Sequence, residues 1–125
     1  MAELSKPLVK KISDLRPLYS GITLTVKVVD AKMVAPKGRQ ARISECLVGD
    51  ETGMIVFVAR NDQVGLMKEG STLILRNAKI EMYRGSMRLA VDRWGHIEAT
   101  EPAGFVVKED SNLSLIEFEM VNVVE

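Results

Sequence analysis

A chain of 125 residues, 46% of them apolar, is sized for one domain with a core of its own. Its 17 basic side chains are balanced by 17 acidic ones, so no global field draws it to nucleic acid or to an anionic membrane, and any such attraction has to come from local clustering. One cysteine, Cys46, excludes an internal disulfide and points to the cytoplasm or nucleus, and no apolar run nears the roughly 18 residues of a membrane span.

Residues 1–10 carry no period and read as a mobile arm without a signal-peptide core. Ala2, being small, suits loss of Met1 and acetylation. In KISDLRPLY (11–19), Ile12, Leu15 and Leu18 stand at near-helical spacing, but Pro17 limits any helix. This lead-in is expected to pack Ile12 and Leu15 on the end of a barrel.

The first strand is predicted over 20–34. Ile22, Leu24, Val26 and Val28 alternate with polar residues, and beyond Val28-Val29 the phase slips to Val29, Ala31 and Met33. A one-residue slip is what a β-bulge does, and it lets one strand serve two sheets. After a turn at 36–39 comes a second strand over 41–48, whose inward set is either Ile43 and Leu47 or Cys46 and Val48.

The turn Asp50-Glu51-Thr52-Gly53 reverses the chain, with Gly53 expected to supply a positive φ. The third strand, 54–60, places Ile55, Phe57 and Ala59 on one face and Met54, Val56, Val58 and Arg60 on the other. A short helix over 61–69, capped by Asn61 or Asp62, is expected to plug the barrel. The fourth strand runs over 71–83 with a phase slip near Asn77-Ala78. Arg84-Gly85-Ser86 turns, and the fifth strand runs over 87–97 with Met87, Leu89 and Val91 inward. Five strands with a short helix between the third and fourth is the order of an all-β, Greek-key OB-fold barrel, here over 11–100. In the extension, 101–125, Ile116, Phe118 and Met120 alternate with Glu117 and Glu119 as an added strand would.

The runs KISDLRP, VGDETGMIVFVARND, KEG and YRGSMRLAV resemble the OB-fold single-stranded DNA-binding subunits of the sensor-of-ssDNA complex and, like them, replication-protein-A-type OB domains. The tail NLSLIEFEMVNVVE is more similar to a group of uncharacterised plant OB-fold proteins. The resemblance implies non-enzymatic binding of single-stranded DNA or RNA across the second and third strands, with aromatic rings stacking on bases and cations holding phosphates. Tyr83 falls where the family has a stacking ring. Arg60 stands where the family has tryptophan, and Lys79 and Ala90 stand where relatives carry aromatics. The guanidinium of Arg60 can still stack, and Lys79 can still hold a phosphate.

The candidate nucleic-acid-binding residues are therefore Arg60, Arg76, Lys79, Tyr83, Arg84, Arg88 and Trp94, with Lys37, Arg39, Arg42 and Arg93 as further cations. A second reading uses Ile43, Leu47, Val56 and Val58, apolar where relatives are polar, as a face for a protein partner or self-association, or for the C-terminal extension to cover. His96 has no companion at metal-ligand spacing, no glycine set matches a phosphate loop, and no nucleophile has a base beside it; no cofactor and no catalytic residue is expected.

Overall fold

The computed structural model describes residues 8–34 and 42–119. Ala2, the 36–39 turn with Lys37 and Arg39, and Met120 with the end of the tail lie outside the described residues. Seven strands form a single sheet: β1 (Leu8–Val9), β2 (Ile22–Val34), β3 (Ile43–Asp50), β4 (Gly53–Arg60), β5 (Thr72–Tyr83), β6 (Ser86–Ala90) and β7 (His96–Thr100). Their order is β1-β2-β3-β4-β6-β5-β7, and an additional β2–β5 pairing closes the sheet on itself. The contact between β4 and β6 is parallel, through Phe57 and Leu89, and the other barrel pairings are antiparallel. This is the OB-fold barrel that the strand order predicts.

The first strand does serve two sides of the barrel. Ile22–Lys27 pairs with β5 and Lys27–Val34 pairs with β3, and the bulge between Val28 and Asp30 leaves Val29 as the extra residue. The bulge restores the inward phase at the corner, as a closed barrel requires. The slip in β5 is real as well: Thr23 faces both Arg76 and Asn77, and Asn77 takes a φ of 55°. Before it Leu73 and Leu75 are buried; after it Ala78 and Ile80 are. The ambiguity in β3 resolves to Cys46 and Val48 inward, against Ile55, Phe57 and Ala59 of β4.

Several expectations change. The arm expected over 1–10 is tied down at its end, where Leu8–Val9 pairs in parallel with Ile22–Thr23. The fifth strand is not continuous: β6 and β7 are separated by a turn in which the Asp92 carboxylate accepts from the Trp94 N–H at 2.9 Å and the Asp92 carbonyl accepts from the Gly95 N–H at 3.1 Å. A Cβ at Gly95 would lie 2.3 Å from the Arg76 carbonyl oxygen, so a side chain there is excluded by backbone. The helix is a 3-10 helix, Asn61–Leu66, and its cap position is Arg60, whose N–H donates to Gln63 Oε1 at 3.0 Å. Gln63 Nε2 also donates to the Val91 carbonyl at 2.7 Å. The plug is Met67, just beyond the helix and buried, with Val64 packed partly against the core. Finally, Gly53 does not adopt a positive φ. It is glycine because a Cβ there would lie 2.9 Å from the Ser111 carbonyl oxygen, where the C-terminal segment crosses.

The polar turn has a second function. Asp50 is fully buried; its Oδ2 accepts from the Ile12 N–H at 3.0 Å, and its Oδ1 accepts from the Thr52 N–H at 2.8 Å and the Thr52 hydroxyl at 2.6 Å. Thr52 Oγ1 in turn accepts from the Ser13 N–H at 3.0 Å. The 3-10 helix Ile12–Asp14 is thereby clamped onto the hairpin, and Ile12 and Leu15 enter the core as expected.

The C-terminal segment does not run as a regular strand over the sheet face. It lies along the seam between β4 and β6. Met54 N–H donates to the Ser111 carbonyl at 2.7 Å, and a 3-10 helix, Leu113–Leu115, buries Leu113. Ser114 Oγ accepts from the Val56 N–H at 2.9 Å and donates to the Met87 carbonyl at 2.6 Å. One hydroxyl thus joins the two strands where their direct pairing is a single register position. Further on, the Phe118 N–H donates to the Gly85 carbonyl at 2.7 Å.

Substituting Asp50→Ala should cost about 1–3 kcal/mol per buried donor left without an acceptor, read as a fall in the urea midpoint. Ser114→Ala should cost about 1–2 kcal/mol and speed hydrogen exchange at the Val56 amide ahead of the core strands.

Candidate nucleic-acid interface

Strand register decides which of the candidate residues meet. On β3, Ile43, Glu45 and Leu47 point outward, opposite Arg60, Val58 and Val56 of β4. On β5 beyond its bulge, Lys79, Glu81 and Tyr83 share a face with Ala90, Arg88 and Ser86 of β6. Arg60, Lys79, Tyr83 and Arg88 therefore stand on one curved face, joined by the ion pair of Arg60 on β4 with Glu81 on β5. Arg84 sits in the β5–β6 turn at a φ of 51°, its guanidinium carbon 5.2 Å from the centre of the Tyr83 ring. The guanidinium of Arg88 lies 4.3 Å from the same ring, within cation–π range.

Trp94 rises from the β6–β7 turn and is 73% exposed, which removes any core-packing role. Its backbone is held on both sides, by the Asp92 carboxylate and by Asn77 Nδ2 donating to the Trp94 carbonyl at 3.1 Å. The Arg93 guanidinium lies 5.0 Å from the indole. An open groove runs beside this turn, with Arg60, Asp62 and Leu66 on one bank and Asp92, Arg93 and His96 on the other. It is continuous with the sheet face through Arg60 and through Asp92, which pairs with Lys79.

Arg76 is not brought to this face. It precedes the β5 bulge and pairs with Glu98 of β7 at 2.8 Å. The hydrogen bond from Arg76, then that from His96, holds the Glu98 carboxyl below its ordinary value, and the same bond raises Arg76. Asp92 is also held low, first by the Trp94 backbone N–H and then by Lys79. Burial pushes the Cys46 thiol up, so it is an inert core residue and no nucleophile. Among the described residues no group of three His, Cys, Asp or Glu could hold a metal ion, and no helix is long and apolar enough to cross a membrane.

The face is less basic than its sequence implies. Arg60 Nη2 lies 3.0 Å from Glu81 Oε1; Lys79 Nζ lies 3.7 Å from Glu81 Oε2 and 3.5 Å from Asp92 Oδ2; and Arg88 pairs with Glu45. Among the described residues, Arg84 and Arg93 have no carboxylate partner. Glu45 is the residue that sequence reasoning missed. Had the inward set of β3 been settled as Cys46 and Val48, Glu45 would have been placed outward, opposite Val58 and within reach of Arg88.

The same pair alters the apolar positions. In the sheet β4 lies between Arg88 on β6 and Glu45 on β3, so their bridge spans the outward side of β4. Val58 is 6% exposed, and Ile43, Leu47 and Val56 are half-buried. The larger exposed apolar side chains lie elsewhere, among them Leu18, Met82, Ile116 and Phe118. The C-terminal segment does not cover the face, and among the described residues neither Glu117 nor Glu119 pairs with its cations.

Residues 15–99 match the family model described as single-stranded DNA binding protein Ssb-like, OB fold. An uncharacterised protein of Arabidopsis thaliana is 54% identical over 94% of this chain and 86% of its own length. The single-stranded DNA binding protein Ssb of Saccharolobus solfataricus is 28% identical over 77% of this chain and 67% of its own length. The solution structure of a hypothetical Arabidopsis thaliana protein superposes with a TM-score of 0.82 at 49% identity, covering 100% of this chain and 95% of that one.

Two measurements check this geometry. Trp94, the one tryptophan of the chain, should emit as a solvent-exposed indole and be fully open to a neutral quencher in the native state. Arg76→Gln should raise the pKa of Glu98 towards the ordinary carboxylate value in an NMR titration, because the largest cause of its depression is gone.

Proposed function

The chain belongs to the Ssb-like family of OB-fold single-stranded DNA-binding proteins, and from that premise we propose that it binds single-stranded DNA or RNA, without turnover, across the β3–β4–β6–β5 face. The observation that supports this most directly is the meeting of Arg60, Lys79, Arg88 and Tyr83 on one face. Tyr83 is backed by two guanidinium groups, and a rigidly held Trp94 stands beside the adjoining groove. Arg60, Lys79, Arg84 and Arg88 would hold phosphates, and Tyr83 and Trp94 would stack on bases. Rings suit a sequence-tolerant binder because every base offers a π-face, and each stacked base is worth about 1–3 kcal/mol. Arg60 and Lys79 stand at positions where relatives carry rings, so fewer bases stack and more of the affinity is electrostatic.

The test is titration of fluorescently labelled oligo-dT and oligo-U at two salt concentrations. Binding should quench Trp94 and weaken as salt rises, because phosphate neutralisation releases counterions. Lys79→Ala should weaken binding several-fold and flatten the salt slope by about one ion. Tyr83→Ala should cost about 1–3 kcal/mol, while Arg76→Ala should leave affinity within twofold. Absence of binding to both oligonucleotides at low salt would rule the proposal out. A partner-docking use of the same face predicts instead that Val56→Lys changes the size of the purified protein on a sizing column while leaving oligonucleotide binding intact.

A further inference from the structure

Three of the four cations of this face, Arg60, Lys79 and Arg88, are already paired with carboxylates. Glu81 presents one carboxylate oxygen to Arg60 at 3.0 Å and the other to Lys79 at 3.7 Å, so it sits between two cations as a phosphate group would. Glu45 binds Arg88, the same guanidinium that lies 4.3 Å from the Tyr83 ring. Neither carboxylate is needed by the barrel core: both project from the outer face, and their side chains are 30% and 36% exposed. Ion pairs that stay partly exposed contribute little to stability, so exchanging them for a ligand's phosphates costs the fold little. Resting on the single-strand reading above, we propose that Glu81 and Glu45 are internal competitors for the ligand's phosphates and set the affinity of the face.

The mechanism is an exchange. A phosphate that takes Arg60 and Lys79 displaces Glu81, and one that takes Arg88 displaces Glu45 and frees one side of Tyr83. The displaced carboxylates remain on the face, next to a backbone of their own sign. Each must regain a cation from solution, which offsets the counterion that the phosphate releases. The wild-type protein therefore binds more weakly, and with a shallower salt dependence, than its four cations would give alone. A strand engages only where several phosphates and bases act together, so long single strands are favoured over short ones and over mononucleotides.

The experiment compares oligo-dT affinity at several salt concentrations for wild type, Glu81→Gln, Glu45→Gln and Glu101→Ala. Glu101 is the control: it is an exposed carboxylate just beyond β7, which pairs with the part of β5 before its bulge, and among the described residues it has no cation partner. Both Gln variants should gain roughly three- to tenfold in affinity, and each should steepen the salt slope by about one ion. The Glu101 variant should stay within twofold. Arg60→Ala should remove most of the gain that Glu81→Gln gives. Circular dichroism and the urea midpoint establish that every variant is folded. Equal gains in all three acid variants would reduce the effect to net charge and overturn the proposal, as would loss of affinity in the Gln variants. Tight wild-type binding with unchanged Gln variants would overturn the competition and leave the single-strand reading standing. Binding at low salt by neither the wild type nor any variant would remove both.

Discussion

A single buried carboxylate organises this barrel. Asp50 closes β3 in the apolar interior, and its two oxygens collect the Thr52 N–H and hydroxyl from the turn and the Ile12 N–H from the N-terminal 3-10 helix. A charge removed from water is tolerated only when its lone pairs are used. Here the requirement fixes three things together: the reversal at Thr52, the docking of Ile12 and the entry of Leu15 into the core. The Lys11–Glu51 pair at 3.0 Å lies outside that clamp and adds only a surface contact. The turn Asp50–Gly53, within the run VGDETGMIVFVARND, thus has a structural task, and it lies on the core side of the hairpin.

The functional face depends on the same hairpin from its other side. With Cys46, Val48, Ile55 and Phe57 inward, Glu45, Leu47, Val56 and Arg60 are forced outward. The bulge after Arg76 then brings Lys79, Glu81 and Tyr83 onto that face and leaves Arg76 behind with Glu98. Two backbone irregularities, the bulge in β5 and the turn at Gly95, decide which side chains share a surface. Of these, Gly95 is enforced by the closeness of the Arg76 carbonyl, and the bulge by the change of inward phase from Leu75 to Ala78.

Periodicity made most of the barrel legible. The slips at Val28-Val29 and Asn77-Ala78 are local signals, carried by consecutive residues, and both correspond to real bulges. What periodicity could not carry was anything set by contacts distant in sequence. Gly53 looks like a turn glycine in RISECLVGDETGMIVF, and only the passage of Ser111 explains it. The break at 91–95 left one sign in the sequence, the charged Arg93 where the alternation of Met87, Leu89 and Val91 calls for an inward apolar residue, but the turn itself is made by the Asp92 carboxylate reaching back to the Trp94 N–H. For the face itself, the cations were legible as residues, but the pairing of Arg60, Lys79 and Arg88 with carboxylates was not. Glu45 lies 43 positions from Arg88, and strand order alone brings them together.

The crossing of Ser114 between β4 and β6 has a consequence for how the chain acquires its shape. The region matched by the family model ends at residue 99, yet a hydroxyl at position 114 joins the Val56 amide to the Met87 carbonyl. The hydrogen-bonded barrel therefore reaches 15 positions beyond the matched region, from residue 99 to residue 114. During synthesis from the N-terminus, all the barrel strands are made before the residue that bridges their seam. Ser114 and Val56 are 58 positions apart, so this part of the seam depends on a contact of long sequence separation, of the kind whose loop-closure entropy must be met before the contact is gained.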